Sequence, residues 1–369
     1  MRVALIGCGR ISQVAHLPAL AKVEDLELVA AVDPSRAVAN GVAERWSTRP
    51  YTDLGDCIRD LEPDAAIVTA PDRAHASIAQ RLLAARCHVL IEKPMTASVP
   101  EAEELVRAVA GSGCVLQVGT MKRHDPGLMF ARAAVAERLG RVLSFNAWYR
   151  TTSMREVLSV FFPPLVSDPA VSAIETGFKA DRESYFLATH GSHIWDLIRY
   201  VVGDIRRLRA LRARVGSDIS WQAVAELAGG AVGCVDLTID QHGEGSEGLS
   251  IRCEKGSLEV RTYTPFARRA SEVRLYEDSA RAVSEPVFAY ANPYEWQLRA
   301  FIGSIADRHT TSADAHVWGT PANAGDGLAA VRLLDAVARS VENGSEVELG
   351  ATLAAGVAAK LGLPGDLRE

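Results

Sequence analysis

The first 33 residues constrain the fold of this chain more than any other segment does. An apolar run, Val3–Ile6, leads into Gly7–Ser12 with the spacing G-x-G-x-x-S, and a second apolar run, Leu28–Val32, ends at Asp33. A strand, a glycine turn, a helix and a second strand followed by an acid form the pattern of a dinucleotide-binding unit. Serine replaces the usual final glycine or alanine, and it is small enough for a helix to pack closely against a strand.

This pattern predicts where the parts of a dinucleotide bind. We expect the pyrophosphate at Gly9–Ile11, because backbone N–H groups and the helix dipole favour anions at a helix N-terminus. The Asp33 carboxylate is placed to bind the ribose hydroxyls and would repel a 2′-phosphate, which favours NAD. Arg36 lies near enough in sequence to keep NADP possible. The residues that this pattern predicts for cofactor binding are Gly7, Gly9, Arg10, Ile11, Asp33 and Arg36.

Strand and helix signals continue to alternate over the first 120 residues. Further short apolar runs, rich in β-branched residues, lie at Ala65–Val68, His88–Ile91 and Val115–Val118. Amphipathic stretches with helical periodicity separate these runs. Alternation of this kind predicts an α/β domain with a doubly wound, parallel Rossmann sheet.

The pattern changes beyond residue 122, where aromatic-bearing strand candidates are separated by turns such as Gly229–Gly230 and Lys255–Gly256. Strands joined by short glycine turns predict a C-terminal α+β domain with a large, mostly antiparallel open sheet. A helix is expected at Ser184–Val202 within it. We therefore predict two domains, residues 1–122 and residues 123–369. The strand candidates of the second domain are 141–150, 206–215, 221–228, 231–239, 249–254, 257–263 and 272–277.

Two short motifs carry residues suited to proton chemistry. Lys93, within Glu92–Pro94, follows a strand of the parallel sheet, at whose carboxyl edge ligands bind. There its ammonium would donate to a substrate hydroxyl and to the alkoxide that takes part in hydride transfer; the alternative is an exposed turn lysine. His190 and His193 are three residues apart and share a helix face. His193 is a candidate proton carrier, the alternative being a core histidine bonded to a main-chain carbonyl.

The composition argues against nucleic acid and membranes as partners. The formal net charge of −6 does not favour binding to polyanions. No apolar run approaches the roughly 20 residues that are needed to cross a bilayer. The six cysteines have no C-x-x-C spacing, and the two histidines have no third ligand at zinc-motif spacing. We therefore expect a cytoplasmic protein without a disulfide framework or a metal site.

Motifs along the whole chain resemble those of the glucose–fructose oxidoreductase, inositol dehydrogenase and MocA (Gfo/Idh/MocA) family. The resemblance implies a Rossmann domain followed by a substrate-binding domain, whose open sheet packs subunits into a homodimer or homotetramer. It also implies a small-molecule substrate, either a sugar, a sugar derivative or a cyclitol. The motifs are Gly7-x-Gly9, Thr69–Pro71 with His75, Glu92–Pro94, Arg123–Pro126, Gly191-x-His193-x-x-Asp196 and Gly325–Gly327.

The same resemblance implies roles for individual residues. Lys93 matches the lysine that contacts the reacting hydroxyl, and His193 matches the general acid/base. Thr189 stands where many members have an aspartate, so the proton relay must differ here, and His190 is a candidate to compensate. The implied catalytic residues are Lys93, His193, His190 and Thr189. The implied cofactor contacts are Thr69, Ala70, Pro71, His75, Glu92 and Lys93, and the implied substrate contacts are Lys93, Arg123, Thr189 and His193.

Three hypotheses about function follow from these observations. The first is an NAD(P)-dependent dehydrogenase or ketoreductase that transfers a hydride between nicotinamide and a hydroxyl carbon of a sugar or cyclitol. The second is an NAD-dependent lyase or hydrolase that oxidises its substrate only transiently, so that NADH does not accumulate. The third is a non-catalytic sensor with the same fold, against which the retained Lys93 and His193 argue.

Overall fold

The computed structural model describes residues 1–152, 165–171, 177, 180–241, 244–307 and 317–349. The chain folds as two compact units. Their composition differs from the predicted division at residue 122, because two later segments pack with the Rossmann part of the chain. The first unit comprises Met1–Thr120, Ser159–Tyr185 and Tyr294–Val331, and the second comprises Met121–Leu158, Phe186–Pro293 and Arg332–Glu369.

Strands and helices alternate through the first 120 residues, as the sequence predicts. All five predicted strands are present to within two residues at each end, whereas a three-residue strand and a short helix were not predicted. The elements are β1 (Arg2–Ile6), a first π-helical segment (Ser12–His16), α1 (Leu17–Leu20), β2 (Glu27–Val32), α2 (Arg36–Arg45), β3 (Arg49–Tyr51), α3 (Leu54–Leu61), β4 (Ala65–Val68), α4 (Asp72–Ala84), β5 (His88–Glu92), α5 (Val99–Ser112) and β6 (Leu116–Gly119).

The remaining elements are mainly strands, with helices between and after them. The predicted helix Ser184–Val202 is confirmed in extent, but its middle is π-helical. The helical elements are Met121–His124 (3₁₀), α6 (Pro126–Glu137), α7 (Arg182–Phe186), a second π-helical segment (Leu187–Gly191), α8 (Ser192–Val201), Pro265–Ala267 (3₁₀), α9 (Pro293–Asp307) and α10 (Ala324–Asn343). The strands are β7 (Val142–Thr151), β8 (Ile205–Val215), β9 (Asp218–Leu227), β10 (Val232–Ile239), β11 (Ser246–Cys253), β12 (Gly256–Thr262), β13 (Glu272–Glu277), β14 (Ala282–Ser284), β15 (Ala322–Asn323) and β16 (Val347–Glu348).

A parallel sheet forms the centre of the first unit. Within the described residues it has seven strands in the order β15-β6-β5-β4-β1-β2-β3, and only the short β15 is antiparallel to its neighbour. Every residue of β4 and β6 is buried, as expected for a sheet that is covered on both faces. The chain leaves β1 towards β2 on one side and resumes at β4 on the other. The carboxyl ends of β1 and β4 therefore form the switch point at which such sheets bind ligands.

Side-chain caps define where several helices of the first unit begin. The Ser98 hydroxyl accepts a hydrogen bond from the Glu101 N–H at the start of α5, and the Asp53 carboxylate accepts from two N–H groups at the start of α3. Ser35 does the same for α2 through the Val38 N–H. These caps satisfy N–H groups that lack partners in the first turn of a helix.

A second sheet, mostly antiparallel as predicted, forms the body of the second unit. Its described strands run in the order β14-β13-β12-β11-β7-β10-β9-β8-β16, and β7 and β10 are the parallel pair among them. Residues alternate along β9, so that Ile219 and Trp221 are buried while Val224 is 53% exposed. The buried face packs against α6 and α8, and its core includes Phe145 and Trp195. The other face of the sheet is open.

None of the helices in the described ranges combines the length with the apolar character that crossing a bilayer requires.

Candidate active site

Glycine occurs at two positions of the loop after β1 for different structural reasons. Gly7 has a φ of +90°, and a Cβ there would lie 2.6 Å from the Ala70 nitrogen, so the fold itself requires glycine. A Cβ on Gly9 would meet no protein atom within 4 Å. The space over Gly9 lies where the first helix begins, so a phosphate can approach the backbone there. The loop therefore fits the pyrophosphate that the sequence predicts.

Buried hydroxyls fix the shape of this loop. The Ser12 Oγ lies 2.9 Å from the carbonyl oxygens of both Gly7 and Gly9, and it is fully buried. The Thr69 hydroxyl, at the end of β4, donates to the Gly7 carbonyl over 2.6 Å. Serine at position 12 thus holds the loop by hydrogen bonds that glycine or alanine could not make.

Asp33 connects the ends of β1 and β2. Its Oδ2 accepts from the Cys8 N–H and its Oδ1 from the Ser35 N–H, each over 2.9 Å. A carboxylate oxygen has two lone pairs, so both oxygens keep the capacity to accept a ribose hydroxyl. Arg36 is exposed at the start of α2. The Asp33 carboxylate and the exposed Arg36 guanidinium are thus the charged groups from which the preference for NAD was predicted.

His75 lies between the two turns that follow β4 and β5. Its Nε2 is 2.8 Å from the Ala70 carbonyl oxygen and its Nδ1 is 2.9 Å from that of Pro94. Burial lowers the pKa of His75, and the contacts of its ring with the Pro94 and Ala70 carbonyls oppose this effect. Because both ring nitrogens face main-chain carbonyls, His75 holds the Thr69–Pro71 turn against the Lys93–Pro94 turn. A direct contact of His75 with cofactor remains a prediction.

Lys93 follows β5 beside a buried acid that contacts a histidine. Glu92 Oε1 lies 2.8 Å from His16 Nε2, and Glu92 Oε2 accepts from the Lys93 N–H over 3.1 Å. Burial acts to raise the pKa of Glu92, but the hydrogen bond and charge of His16 and the charge of Lys93 hold that pKa below its usual value. Burial lowers the pKa of the Lys93 ammonium, and the charges of Glu92 and Asp72 oppose this effect. The lysine is thus closer to neutrality than an exposed one.

His16 is a residue that sequence analysis missed. It ends the first π-helical segment, is 1% exposed, and packs edge-on against Tyr294 with ring centroids 5.2 Å apart. Its Nδ1 is buried and has no hydrogen-bond partner among the described residues. Nothing in the local sequence indicates a role for His16, because its partner Glu92 is 76 residues away in the chain.

In the second unit, Arg123 forms a buried ion pair with Asp196. The guanidinium donates to both carboxylate oxygens, with the shortest separation 2.6 Å, and both side chains are about 5% exposed or less. The Tyr200 hydroxyl donates to the Arg123 carbonyl over 3.1 Å. This pair fixes the 3₁₀ turn at Met121–His124 against α8. The predicted contact of Arg123 with substrate is not tested by this arrangement.

His190 and His193 both contact Tyr149 of β7. The His190 Nδ1 lies 3.1 Å from the Tyr149 hydroxyl, and the His193 ring is parallel to the Tyr149 ring at a centroid distance of 6.0 Å. The neighbouring Thr189 is half-buried and its carbonyl accepts from the Ser192 hydroxyl. Sequence analysis did not single out Tyr149, although alternation along β7 places it on the buried face.

Two histidines of the candidate site lie in short π-helical segments. His16 lies in Ser12–His16, and His190 lies in Leu187–Gly191. Short π segments inside helices occur frequently at functional sites. Among the described residues, no group of three or more histidine, cysteine or acidic side chains could hold a metal ion.

Two family models match the chain. The NAD-binding Rossmann fold of an oxidoreductase family matches residues 1–120, and the GFO/IDH/MocA C-terminal domain matches residues 129–259. The chain therefore belongs to the GFO/IDH/MocA family, which confirms the resemblance drawn from its motifs. It is an NAD-binding oxidoreductase, and the open glycine loop and Asp33 are the features of this structure that fit the cofactor.

Individual relatives extend over most of the chain. An inositol 2-dehydrogenase of Rubrobacter xylanophilus is 25% identical over 329 residues, which cover 88% of this chain and 86% of the relative. The WlbA dehydrogenase of Bordetella pertussis, solved with NADH and UDP-GlcNAcA, has a TM-score of 0.71 and 21% identity, covering 95% and 99% of the two chains. Levoglucosan dehydrogenase with NADH has a TM-score of 0.75 and 19% identity, covering 95% and 99%. The two solved structures show that the fold is shared.

Asp33→Ala should weaken NAD(H) binding at least about tenfold, or about 1.4 kcal/mol, because it removes the acceptors predicted for the ribose. Asp33→Asn should weaken binding less, since its amide oxygen still accepts one hydrogen bond. Isothermal titration with NADH measures both. Asp56→Ala, an exposed acid on α3, serves as the control and should bind like the parent. A dissociation constant unchanged by Asp33→Ala would remove Asp33 from the cofactor site.

Glu92→Gln should lower the pKa of Lys93 further, because it removes a negative charge that favours the ammonium while keeping the shape of the side chain. The unprotonated amine reacts with acetic anhydride, so the midpoint of Lys93 labelling should move to lower pH. Mass spectrometry of the labelled peptides measures this midpoint, and the exposed Lys255 is the internal reference. A midpoint that stays in place would show that the Glu92 charge does not act on Lys93.

Proposed function

We propose that this protein is an NAD(P)-dependent dehydrogenase or ketoreductase acting on one hydroxyl carbon of a sugar, sugar derivative or cyclitol. The observation that carries the proposal is Lys93, which follows β5 at the ligand-binding edge of the parallel sheet, with its pKa lowered and with Glu92 fixing its main chain. The relatives named inositol 2-dehydrogenase and levoglucosan dehydrogenase support the substrate class. Preference for NAD is supported by Asp33.

Lys93 would act on the charge that develops on the substrate oxygen. Bound nicotinamide would supply the hydride acceptor, and the substrate oxygen carries negative charge once the hydroxyl has lost its proton in oxidation, or as hydride adds to the carbonyl carbon in reduction. An ammonium donor that is already in place stabilises this charge without reorganisation, and it does so most strongly in a site that excludes water. Because the interaction strengthens in the transition state, it lowers the barrier rather than only tightening substrate binding.

His193 is our candidate for the group that accepts the hydroxyl proton. Only neutral imidazole can accept a proton, and imidazole changes its charge near neutral pH. In reduction the same ring, once protonated, would return the proton to the alkoxide. His190 is the second candidate, because its ring contacts the same tyrosine as that of His193.

The two alternative functions differ from the dehydrogenase in measurable ways. A lyase or hydrolase that oxidises its substrate transiently would consume substrate without accumulating NADH. A sensor would bind cofactor and ligand without turnover. Incubating the protein with NAD⁺ and a panel of polyols and sugars, with NADH absorbance and product analysis in parallel, separates the three. Steady NADH formation with one cyclitol or sugar supports the dehydrogenase.

Lys93→Met should lower kcat by about a hundredfold or more, the usual cost of losing one oxyanion donor, and should leave KM much less affected. Steady-state kinetics with the substrate identified in the panel measures both constants, and NADH titration confirms that cofactor still binds. Lys255→Met changes an exposed turn lysine and should behave like the parent. Retention of more than about a tenth of the parent kcat would refute the role assigned to Lys93.

We also propose that subunits associate through the open face of the second sheet. The large apolar side chains that lie exposed on its strands include Leu211, Val224 and Val232, with 65%, 53% and 47% of their surface exposed. Apolar side chains on one face of a sheet are typical of an interaction surface. The homodimer or homotetramer implied by family resemblance would bury them.

Val224→Glu should shift the protein to a smaller species, because it introduces a charge into the proposed interface. Light scattering coupled to size exclusion measures the mass of parent and variant. Val287→Glu changes a valine that is 97% exposed outside the strands, and it should leave the mass unchanged. A monomeric parent protein would contradict association through this face.

A further inference from the structure

Tyr149 holds a central place among the histidines of the second unit. It lies on β7 with its side chain buried, and its ring is parallel to that of His193 at a centroid distance of 6.0 Å. Its hydroxyl reaches His190 Nδ1 at 3.1 Å. One side chain therefore touches both candidate acid/base groups, through its ring face in one case and its hydroxyl in the other.

The ring contact limits the orientations that the His193 imidazole can take. Aromatic rings with centroids 4.5–7 Å apart prefer offset-stacked or edge-on arrangements, and the parallel planes here correspond to the offset-stacked one. An imidazole that turned out of this plane would lose the contact, whereas a half-turn flip of the ring would keep it. The stack thus favours one plane for the His193 ring.

The hydroxyl contact bears on which nitrogen of His190 carries the proton. Burial raises the pKa of Tyr149, so its hydroxyl stays protonated and has a hydrogen to donate. Neutral imidazole accepts at the nitrogen that lacks a proton. The 3.1 Å contact allows the Tyr149 hydroxyl to donate to an unprotonated Nδ1 of His190, and the proton of the neutral ring would then be on Nε2.

We propose that Tyr149 is a positioning residue for proton transfer, whose ring orients His193 and whose hydroxyl fixes the tautomer of His190. This inference rests on the proposed function, because it takes His193 as the acid/base group. Nothing in the sequence indicates this role, since a tyrosine in a strand ordinarily indicates only that its side chain packs against a core.

Charged groups around Tyr149 are themselves paired. The Lys122 ammonium lies 5.1 Å from the centroid of the Tyr149 ring and forms an ion pair with Glu247 of β11. The Glu247 carboxylate also accepts from the Thr262 hydroxyl over 3.1 Å. Phe186 of α7 packs against the His190 ring from another side and is uncharged. Because the charges of Lys122 and Glu247 neutralise each other, neither of them acts as an unpaired charge beside Tyr149.

Two substitutions of Tyr149 separate its ring from its hydroxyl. Tyr149→Phe keeps the stack on His193 and removes the hydrogen bond to His190, whereas Tyr149→Leu removes both. We expect Tyr149→Phe to raise the pKa of His190 and to abolish its preference for the Nε2–H tautomer, because the bond that favours neutral imidazole is lost. The His193 signals should stay unchanged in Tyr149→Phe and move in Tyr149→Leu.

Ring ¹⁵N and ¹³C NMR of labelled histidine across a pH titration reads tautomer and pKa directly in the full-length protein. The chain has nine histidines, and signals are assigned from His190→Gln and His193→Gln variants. His124 is fully buried in the second unit, so its unchanged signals would show that this unit remains folded in each variant. Unchanged His190 signals in Tyr149→Phe would overturn the proposal, as would equal displacement of His193 by both variants.

Turnover gives the second readout. Tyr149→Leu should lower kcat by about tenfold to a hundredfold, in keeping with the cost of misplacing a catalytic group, while KM changes little. Phe at this position should retain more of the parent kcat than Leu. The NMR experiment needs no substrate, so it stands even if the dehydrogenase activity is not found. Conversely, normal turnover in Tyr149→Leu would refute the positioning role and leave the proposed function intact.

Discussion

The close approach of the main chain at Gly7 to that at Ala70 is the contact on which the cofactor-binding part of the first unit depends. A Cβ at Gly7 would lie 2.6 Å from the Ala70 nitrogen, so any other residue would push β1 and β4 apart at the switch point of the sheet. Ser12 and Thr69 add hydrogen bonds to the Gly7 carbonyl from the helix and from the β4 turn. With the backbone fixed in this way, the first helix begins close to the open space over Gly9.

The same reasoning extends from β4 to β5 through His75. Its two ring nitrogens hold the Ala70 and Pro94 carbonyls, so the turn that carries Lys93 is placed relative to the glycine loop by main-chain contacts. Glu92 then fixes the Lys93 N–H and lies against His16. A buried carboxylate is costly unless it is paired and hydrogen-bonded, and both conditions are met here.

Local pattern was sufficient to predict most strands and helices of this fold. The buried runs of the parallel sheet and the longer alternating strands of the second sheet have periods that follow from their burial, so they were found from sequence, whereas the short β14 and β16 were not. The strand β3 was missed because it has three residues and contains Pro50, which is a weak strand signal. The two π segments have no composition that distinguishes them from α-helix, so the sequence predicted a regular helix in both places.

Tertiary partners explain what sequence analysis could not find in the candidate site. Lys93 and His193 were found because their motifs are local, whereas His16 and Tyr149 matter through residues far away in the chain. The predicted boundary at residue 122 also left out contacts between distant parts of the chain. The two-residue strand β15 pairs with β6 over a separation of about two hundred residues. Neither its length nor its composition shows which sheet it joins.

The two units orient their polar residues by different physical means. In the first unit, Glu92 lies between His16 and Lys93, and charge attraction contributes to the arrangement. In the second unit, Tyr149 is uncharged, and it contacts His190 by one hydrogen bond and His193 by ring packing. A group that must be neutral to accept a proton is better oriented by a neutral partner, because a nearby carboxylate would favour the protonated ring. Thr189, which is also uncharged, preserves this condition, and Glu247, which is opposite Tyr149 in the sheet, is paired with Lys122.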